Sequence, residues 1–136
     1  MKNLGELLAK SWLDKTFLNL DTLNAKDIPS TRKEAFEAQN FFYQSINKKT
    51  AGWKIGAVAK EVQEEEGYDG PVPGKIFEDS FLQINTNIDF NDIPHSNLEC
   101  EYALQFLKDS KIDNELDKDL NQIKLFTAID ITSTRY

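Results

Sequence analysis

Residues 98–106 read LECEYALQF. Their alternation predicts a β-strand with one apolar face, made of Leu98, Cys100, Tyr102, Leu104 and Phe106. Glu99 and Glu101 lie on the other face, roughly 6.6 Å apart along the strand. A hard divalent cation between them would relieve the repulsion of two like charges. The pair is therefore either part of a metal site or two solvated glutamates on the wet face of a half-exposed strand.

Length and composition predict one soluble globular domain. The chain has 136 residues, of which 40% are hydrophobic and 29% are charged, as in globular proteins. Its 16 basic and 23 acidic residues give a net charge of -7, which argues against nucleic acid or an anionic membrane as the main partner. No apolar run approaches the ~18 residues that span a bilayer, and no signal peptide opens the chain, so we expect a cytoplasmic protein.

Cys100 is the only cysteine, which excludes an intrachain disulfide and a thiolate metal cluster. On an apolar strand face it is expected to be a small core residue. A catalytic thiol is the disfavoured alternative.

Two amphipathic helices are predicted in the first third of the chain. The first covers residues 3–20 and has an apolar stripe of Leu4, Leu7, Leu8, Trp12 and Leu13. Thr31 and Glu34 form a capping box at the start of the second. The buried stripe of this second helix is Ala35, Phe36, Ala38, Gln39, Phe42, Tyr43 and Ile46.

Residues 53–58 (WKIGAV) predict a short strand bracketed by glycines, and Lys54 is its one charged residue. This lysine is either an edge residue that extends to water or a cation placed to meet an anion. Glycines on both sides would let a ligand approach the backbone closely. A short helix is predicted at residues 59–66, closed by Gly67.

Residues 70–74 (GPVPG) predict a rigid, kinked loop, and residues 77–88 hold short strand-like pieces. His95, the only histidine, lies in the polar turn at residues 94–97. It is either an exposed turn residue or a third ligand or acid–base group beside the glutamates.

Residues 124–134 predict another strand, in which Asp130 shares a face with Phe126, Ala128 and Thr132. A carboxylate in so apolar a strand is costly to bury unless it is paired or binds a metal, so Asp130 is a third candidate ligand. Before this strand, Asp113 is expected to cap a short helix with a stripe of Leu116, Leu120 and Ile123. Because the chain stops at Tyr136 directly behind the strand, we expect it to be part of a longer protein.

Several segments together resemble the 2-keto-4-pentenoate hydratases. They are GWKIG at residues 52–56, Gln63 before Gly67, Pro73-Gly74, LECE at residues 98–101, and AIDI at residues 128–131 with Arg135; Gln39 also fits. GWKIG alone would be weak, whereas the ordered set, which covers about residues 30–136, is fairly specific. The family is related to 2-oxo-acid decarboxylases and, more distantly, to fumarylacetoacetate hydrolase.

The resemblance implies an α+β fold of the fumarylacetoacetate-hydrolase type. A small N-terminal α/β part would occupy residues 1–95, and residues 96–136 would begin a mixed β-sandwich or roll that holds the metal. Family members are about twice as long, so this chain would correspond to their N-terminal half. The intact protein is expected to be a homo-oligomer.

By position, the resemblance implies that Glu99, Glu101 and Asp130 bind Mg²⁺ or Mn²⁺. Lys54 would be the catalytic residue beside the substrate, and the loop of Pro73 and Gly74 would line the substrate pocket. The family usually has Glu where this chain has Asp130, so the metal would shift or a water would intervene. The family often has Ser or Thr in the segment after GWKIG, where this chain has Ala57, Val58 and Ala59.

The implied activity is the addition of water to 2-hydroxypenta-2,4-dienoate to give 4-hydroxy-2-oxopentanoate, in the degradation of aromatic compounds. A decarboxylase of the 4-oxalocrotonate type is the alternative within the same family, because both reactions need a divalent metal to hold a 2-oxo acid. A third possibility is a remnant that folds without turnover. The expected partner is a small 2-oxo or 2-hydroxy-dienoic acid. We do not expect the protein to bind nucleic acid or a membrane.

Overall fold

The computed structural model describes residues 1–107 and 122–134. Within these ranges the chain has three α-helices and two antiparallel pairs of strands, which confirms the predicted α+β class. It divides into two compact units, Met1–Ile88 and Asp89–Thr134. None of the described helices is long and apolar enough to cross a lipid bilayer.

Helix α1 spans Lys2–Leu13 and buries Leu4 and Ala9 of its inner face. The prediction that it continues to residue 20 is wrong. Lys15 takes a left-handed conformation with φ 55°, and the Thr16 N–H donates to the Ser11 carbonyl at 2.9 Å. Such a bond spanning six residues closes a helix, and the apolar periodicity does not encode it.

Helix α2 spans Arg32–Ile46, and its predicted capping box is confirmed. The Glu34 N–H donates to Thr31 Oγ1 at 3.2 Å, and the Thr31 N–H donates to the Glu34 carboxylate at 3.1 Å. Ala38 is buried as predicted, whereas Ala35 is exposed. Helix α1 contacts α2 beside Ala38, through Gly5. Ala35 lies one turn earlier on α2, beyond the part of the helix that α1 covers.

The core of the first unit joins these two helices to a strand. Its buried centre is Ala9, Ile46 and Phe77, and the partly buried rings of Trp12, Phe42 and Tyr43 pack around it. The rings meet edge to face, for example Trp12 and Phe77 with centroids 5.9 Å apart. Aromatic pairs of this geometry add about 0.5–1.5 kcal/mol beyond the burial of their area.

Strands β1 (Thr50–Gly56) and β2 (Val72–Phe77) pair antiparallel, and helix α3 (Lys60–Glu66) lies between them in the sequence. Gly67 ends α3 at φ 73°, as predicted. β1 stops at Gly56, so Val58 falls outside the strand that was predicted to include it.

Two predictions around β2 are wrong. Residues 72–74 belong to the strand and not to a kinked loop, because Pro73 is tolerated in a two-stranded sheet where every strand is an edge. Residues 78–88 contain no strand: a single 3₁₀ turn at Glu78–Ser80 follows Phe77. The strand-like pieces there find no partner in the described part of this unit.

Strands β3 (Asn97–Phe106) and β4 (Ile123–Thr132) were both predicted from their alternation, and the structure pairs them antiparallel in the second unit. Cys100, opposite Ile129, is exposed, so the prediction of a core cysteine is wrong. Most of its face of the strand pair is apolar and exposed, with Tyr102 78% and Ile129 70% accessible. Alternation predicts which residues share a face, and it does not predict whether that face is covered.

The predicted short helix capped by Asp113 lies outside the described residues, and so does Arg135. Ile123, which was assigned to the apolar stripe of that helix, is instead the first residue of β4.

Candidate functional site

Three carboxylates converge on one face of the β3–β4 pair. Glu99 lies directly opposite Asp130, and Glu101 lies two residues further along, opposite Ala128. Directly opposed residues in an antiparallel pair point to the same face, with Cβ atoms about 4.5–5.5 Å apart. One carboxylate oxygen from each of the three residues lies within 4.8 Å of the other two. Glu99 and Asp130 are partly buried, and Glu101 is exposed.

The arrangement of these carboxylates fits a hard divalent cation. Oxygens on opposite sides of an octahedral Mg²⁺ are about 4.2 Å apart, and those on Ca²⁺ about 4.8 Å. Small side-chain movements would therefore bring three oxygens at the observed spacing onto one ion. Ala128, opposite Glu101, contributes only a methyl group to this face.

Asp130 reaches the cluster although its side chain is one methylene shorter than glutamate. The strand register compensates for the missing length, because Asp130 is directly opposite Glu99 and not displaced along the strand. The shorter residue at this position is thus compatible with a three-carboxylate site.

His95 does not join the group of ligand atoms formed by the three carboxylates. It lies in the turn before β3, is exposed, and has a positive φ of 50°. Its position agrees with the interpretation as a turn residue.

Lys54 lies half-buried in β1 of the first unit, opposite Gly74 of β2. Gly52 and Gly56, two residues away on either side, share its face of the sheet. Three of the positions around this lysine therefore carry no side chain. The same pairing puts Pro73 opposite Ile55, so the proline ring lies on the other face from Lys54.

Within each unit the strand register brings candidate residues together. Glu99, Glu101 and Asp130 meet on the β3–β4 pair, and Lys54 meets Gly74 on the β1–β2 pair.

Helix α2 holds β2 and the residues before it by side chains that contact backbone groups. Arg32 donates to the carbonyls of Gly70 and Pro71 and pairs with Asp69 at 2.8 Å. One face of the same helix carries Gln39 and Tyr43, seven and eleven residues after Arg32, which is two and three helical turns. This polar stripe fixes the backbone that lies opposite Lys54.

Tyr43 is the residue of this region that the sequence interpretation missed, since it was assigned only to the core. Its hydroxyl oxygen accepts the Lys75 N–H at 2.8 Å, and a Cβ built on Gly74 would be 3.7 Å from that oxygen. Burial raises the pKa of the Tyr43 phenol, so it stays protonated at neutral pH. The signal in the sequence was the hydroxyl itself, because a buried tyrosine almost always requires a polar partner.

No family model and no curated protein matches this sequence.

Proposed function

We propose that this chain provides the metal-binding strands of a hydro-lyase that adds water to 2-hydroxypenta-2,4-dienoate to give 4-hydroxy-2-oxopentanoate. The observation that carries the proposal is the convergence of Glu99, Glu101 and Asp130 within 4.8 Å on one sheet face. It is supported by the resemblance to the 2-keto-4-pentenoate hydratases, which implies that these three residues are metal ligands.

The three carboxylates would hold Mg²⁺ or Mn²⁺ and leave other coordination positions open. A bound ion of this kind polarises the oxygens of a 2-oxo acid and stabilises negative charge that develops there. Glu99, Glu101 and Asp130 bring three formal negative charges, so they favour a divalent over a monovalent cation.

Lys54 would bind the carboxylate of the substrate and assist proton transfer. Its glycine surroundings leave space for a planar conjugated acid to lie against the strand backbone. An ammonium group has three donors, so Lys54 can keep a contact within the protein and still donate to a ligand.

The proposal extends to the protein as a whole. We assign the chain to the N-terminal half of a fumarylacetoacetate-hydrolase-like fold that works as a homo-oligomer in the cytoplasm.

Metal binding is the first test of the proposal. We expect Mg²⁺ or Mn²⁺, titrated into the chain by calorimetry, to bind and to raise the melting temperature, because a ligand at 100 times its Kd stabilises the folded state by about 2.7 kcal/mol. Glu101→Gln should weaken the binding at least tenfold. Glu61→Gln, which removes an exposed carboxylate from α3, is the matched control and should leave it unchanged.

Two outcomes would count against the metal site: no effect of either cation on the wild-type chain, or equal binding by the wild-type and Glu101→Gln chains. Catalysis is tested separately by incubation with 2-hydroxypentadienoate and with a 2-oxo-diacid. Hydrated product from the first substrate supports the hydratase, and release of CO₂ from the second identifies a decarboxylase instead. A chain that binds metal and converts neither substrate would be the non-catalytic remnant.

A further inference from the structure

We infer that the Tyr43 hydroxyl is a second hydrogen-bond donor, beside Lys54, for the carboxylate of an organic acid bound on the β1–β2 pair. The inference relies on the proposed function for the choice of ligand, a planar dienoate. It assigns a binding role to a residue that the sequence interpretation assigned only to the core.

The position of the Tyr43 hydroxyl relative to Lys54 follows from the register of β1 and β2. Gly74 and Lys54 are directly opposed, so their side-chain positions lie on one face, about 4.5–5.5 Å apart at Cβ. The Tyr43 oxygen is 3.7 Å from the Cβ position of Gly74. It is therefore no more than about 9 Å from the Cβ of Lys54, and the lysine side chain can cover most of that distance.

The space around Gly74 is open towards the Tyr43 hydroxyl. Residue 74 has no side chain, and the Tyr43 oxygen is the one atom of the described residues, its chain neighbours aside, that lies within 4 Å of its Cβ position. Gly52 and Gly56 keep the positions on either side of the lysine open in the same way. On the Gly52 side the nearest side-chain atom is Phe81 Cζ, 3.8 Å from the Cβ position, which provides an aromatic wall for an apolar tail.

The Tyr43 hydroxyl can accept a hydrogen bond and donate one at the same time. Its oxygen accepts the Lys75 N–H, and this bond orients the phenol at the edge of β2. A tyrosine hydroxyl has one donor as well as its acceptor sites. Among the described residues nothing accepts that proton, so the donor is available to an anion. The ammonium of Lys75 above the ring, 4.8 Å from its centroid, adds positive charge nearby.

Binding of sorbate (hexa-2,4-dienoate) in the presence of EDTA tests this inference, because EDTA removes any contribution from a metal. We expect the wild-type chain to bind sorbate, Lys54→Met to lose the binding, and Tyr43→Phe to bind about tenfold more weakly. Tenfold corresponds to the loss of one hydrogen bond to a charged group at the lower end of its usual range.

Gln39→Leu is the matched control for the structural role of Tyr43. Gln39 also donates from α2 to the backbone of β2, at 3.2 Å to the Pro73 carbonyl. Its loss should lower the melting temperature about as much as Tyr43→Phe and should leave sorbate affinity within twofold. Equal weakening by both variants would mean that α2 only positions the strand, and would overturn the inference.

A measurement on the wild-type chain avoids any dependence on the folding of the variants. With ¹³Cζ-labelled tyrosine, the Tyr43 resonance should shift on addition of sorbate. Its failure to move, an unchanged affinity of Tyr43→Phe, or no binding of millimolar sorbate would each overturn the inference. Sorbate binding without metal binding or turnover would instead refute the proposed function alone.

Discussion

At the scale of single residues, Glu34 links the stability of α2 to pH. Its carboxylate accepts from the Ser30 N–H and hydroxyl, both at 2.8 Å, and from the Thr31 N–H. These bonds, chiefly those from Ser30, lower the pKa of Glu34 below its ordinary value of 4.5. A lowered folded-state pKa gives stability that is present above the unfolded pKa and is lost as pH falls through the folded pKa.

We therefore expect Glu34→Gln to be less stable than the wild-type chain at pH 7, and the difference to shrink below about pH 4. Urea denaturation at a series of pH values measures it. Thr31→Ala is the control, because it removes the other half of the box without a titrating group and should cost about 1 kcal/mol at every pH. A difference for Glu34→Gln that did not vary between pH 7 and pH 3 would contradict this account.

At the scale of elements, the contact of α1 with α2 depends on Gly5. A Cβ at this position would meet Phe41 Cβ at 2.6 Å and the Phe42 nitrogen at 2.8 Å, and would also collide with the Ala38 carbonyl oxygen. Alanine favours a helix over glycine by about 1 kcal/mol, but backbone atoms of a packed helix cannot move aside. The clash therefore outweighs the helix propensity.

Gly5→Ala should lower the free energy of unfolding by about 2–3 kcal/mol, as overpacked cores do. Gly52→Ala is the matched control, because its Cβ would meet only Phe81 Cζ at an ordinary 3.8 Å. Denaturant melts of the two variants provide the comparison. Equal stability of Gly5→Ala and wild type would show that the helices are further apart than the structure has them.

The pairing of elements also explains why the carboxylates meet. Alternation within 98–106 places Glu99 and Glu101 on one face, and alternation within β4 places Asp130 on one face of its own strand. Only the register that puts Glu99 opposite Asp130 joins the two faces. A slip of one residue would turn Asp130 to the opposite face of the pair.

At the scale of the whole molecule, the described residues include an apolar face on the β3–β4 pair that is exposed. Its exposed members are Leu98, Tyr102, Leu104, Phe106, Leu125 and Ile129, each at least 50% accessible. Contiguous apolar surface of this kind binds other apolar surfaces or promotes association.

We expect the chain to bind the dye ANS and to self-associate as its concentration rises. Ile129→Lys should reduce both, because it places a charge in the middle of the exposed face. Ala103→Lys, on the opposite face of the same strand pair, is the control and should change neither. ANS fluorescence and sedimentation velocity provide the readouts, and equal behaviour of the two variants would exclude this face as the cause.

Local sequence preferences were enough to predict the capping box of Thr31 and Glu34, the stop of α3 at Gly67, and the alternation of β3. Each depends on residues a few positions apart, whose preferences act within one element. The tertiary structure alone decided that Asp130 faces Glu99, that Gly74 faces Lys54, and that the Tyr43 hydroxyl reaches the edge of β2. Those contacts join residues 20 to 32 positions apart, and long-range pairing is fixed by register and packing that local periodicity does not contain.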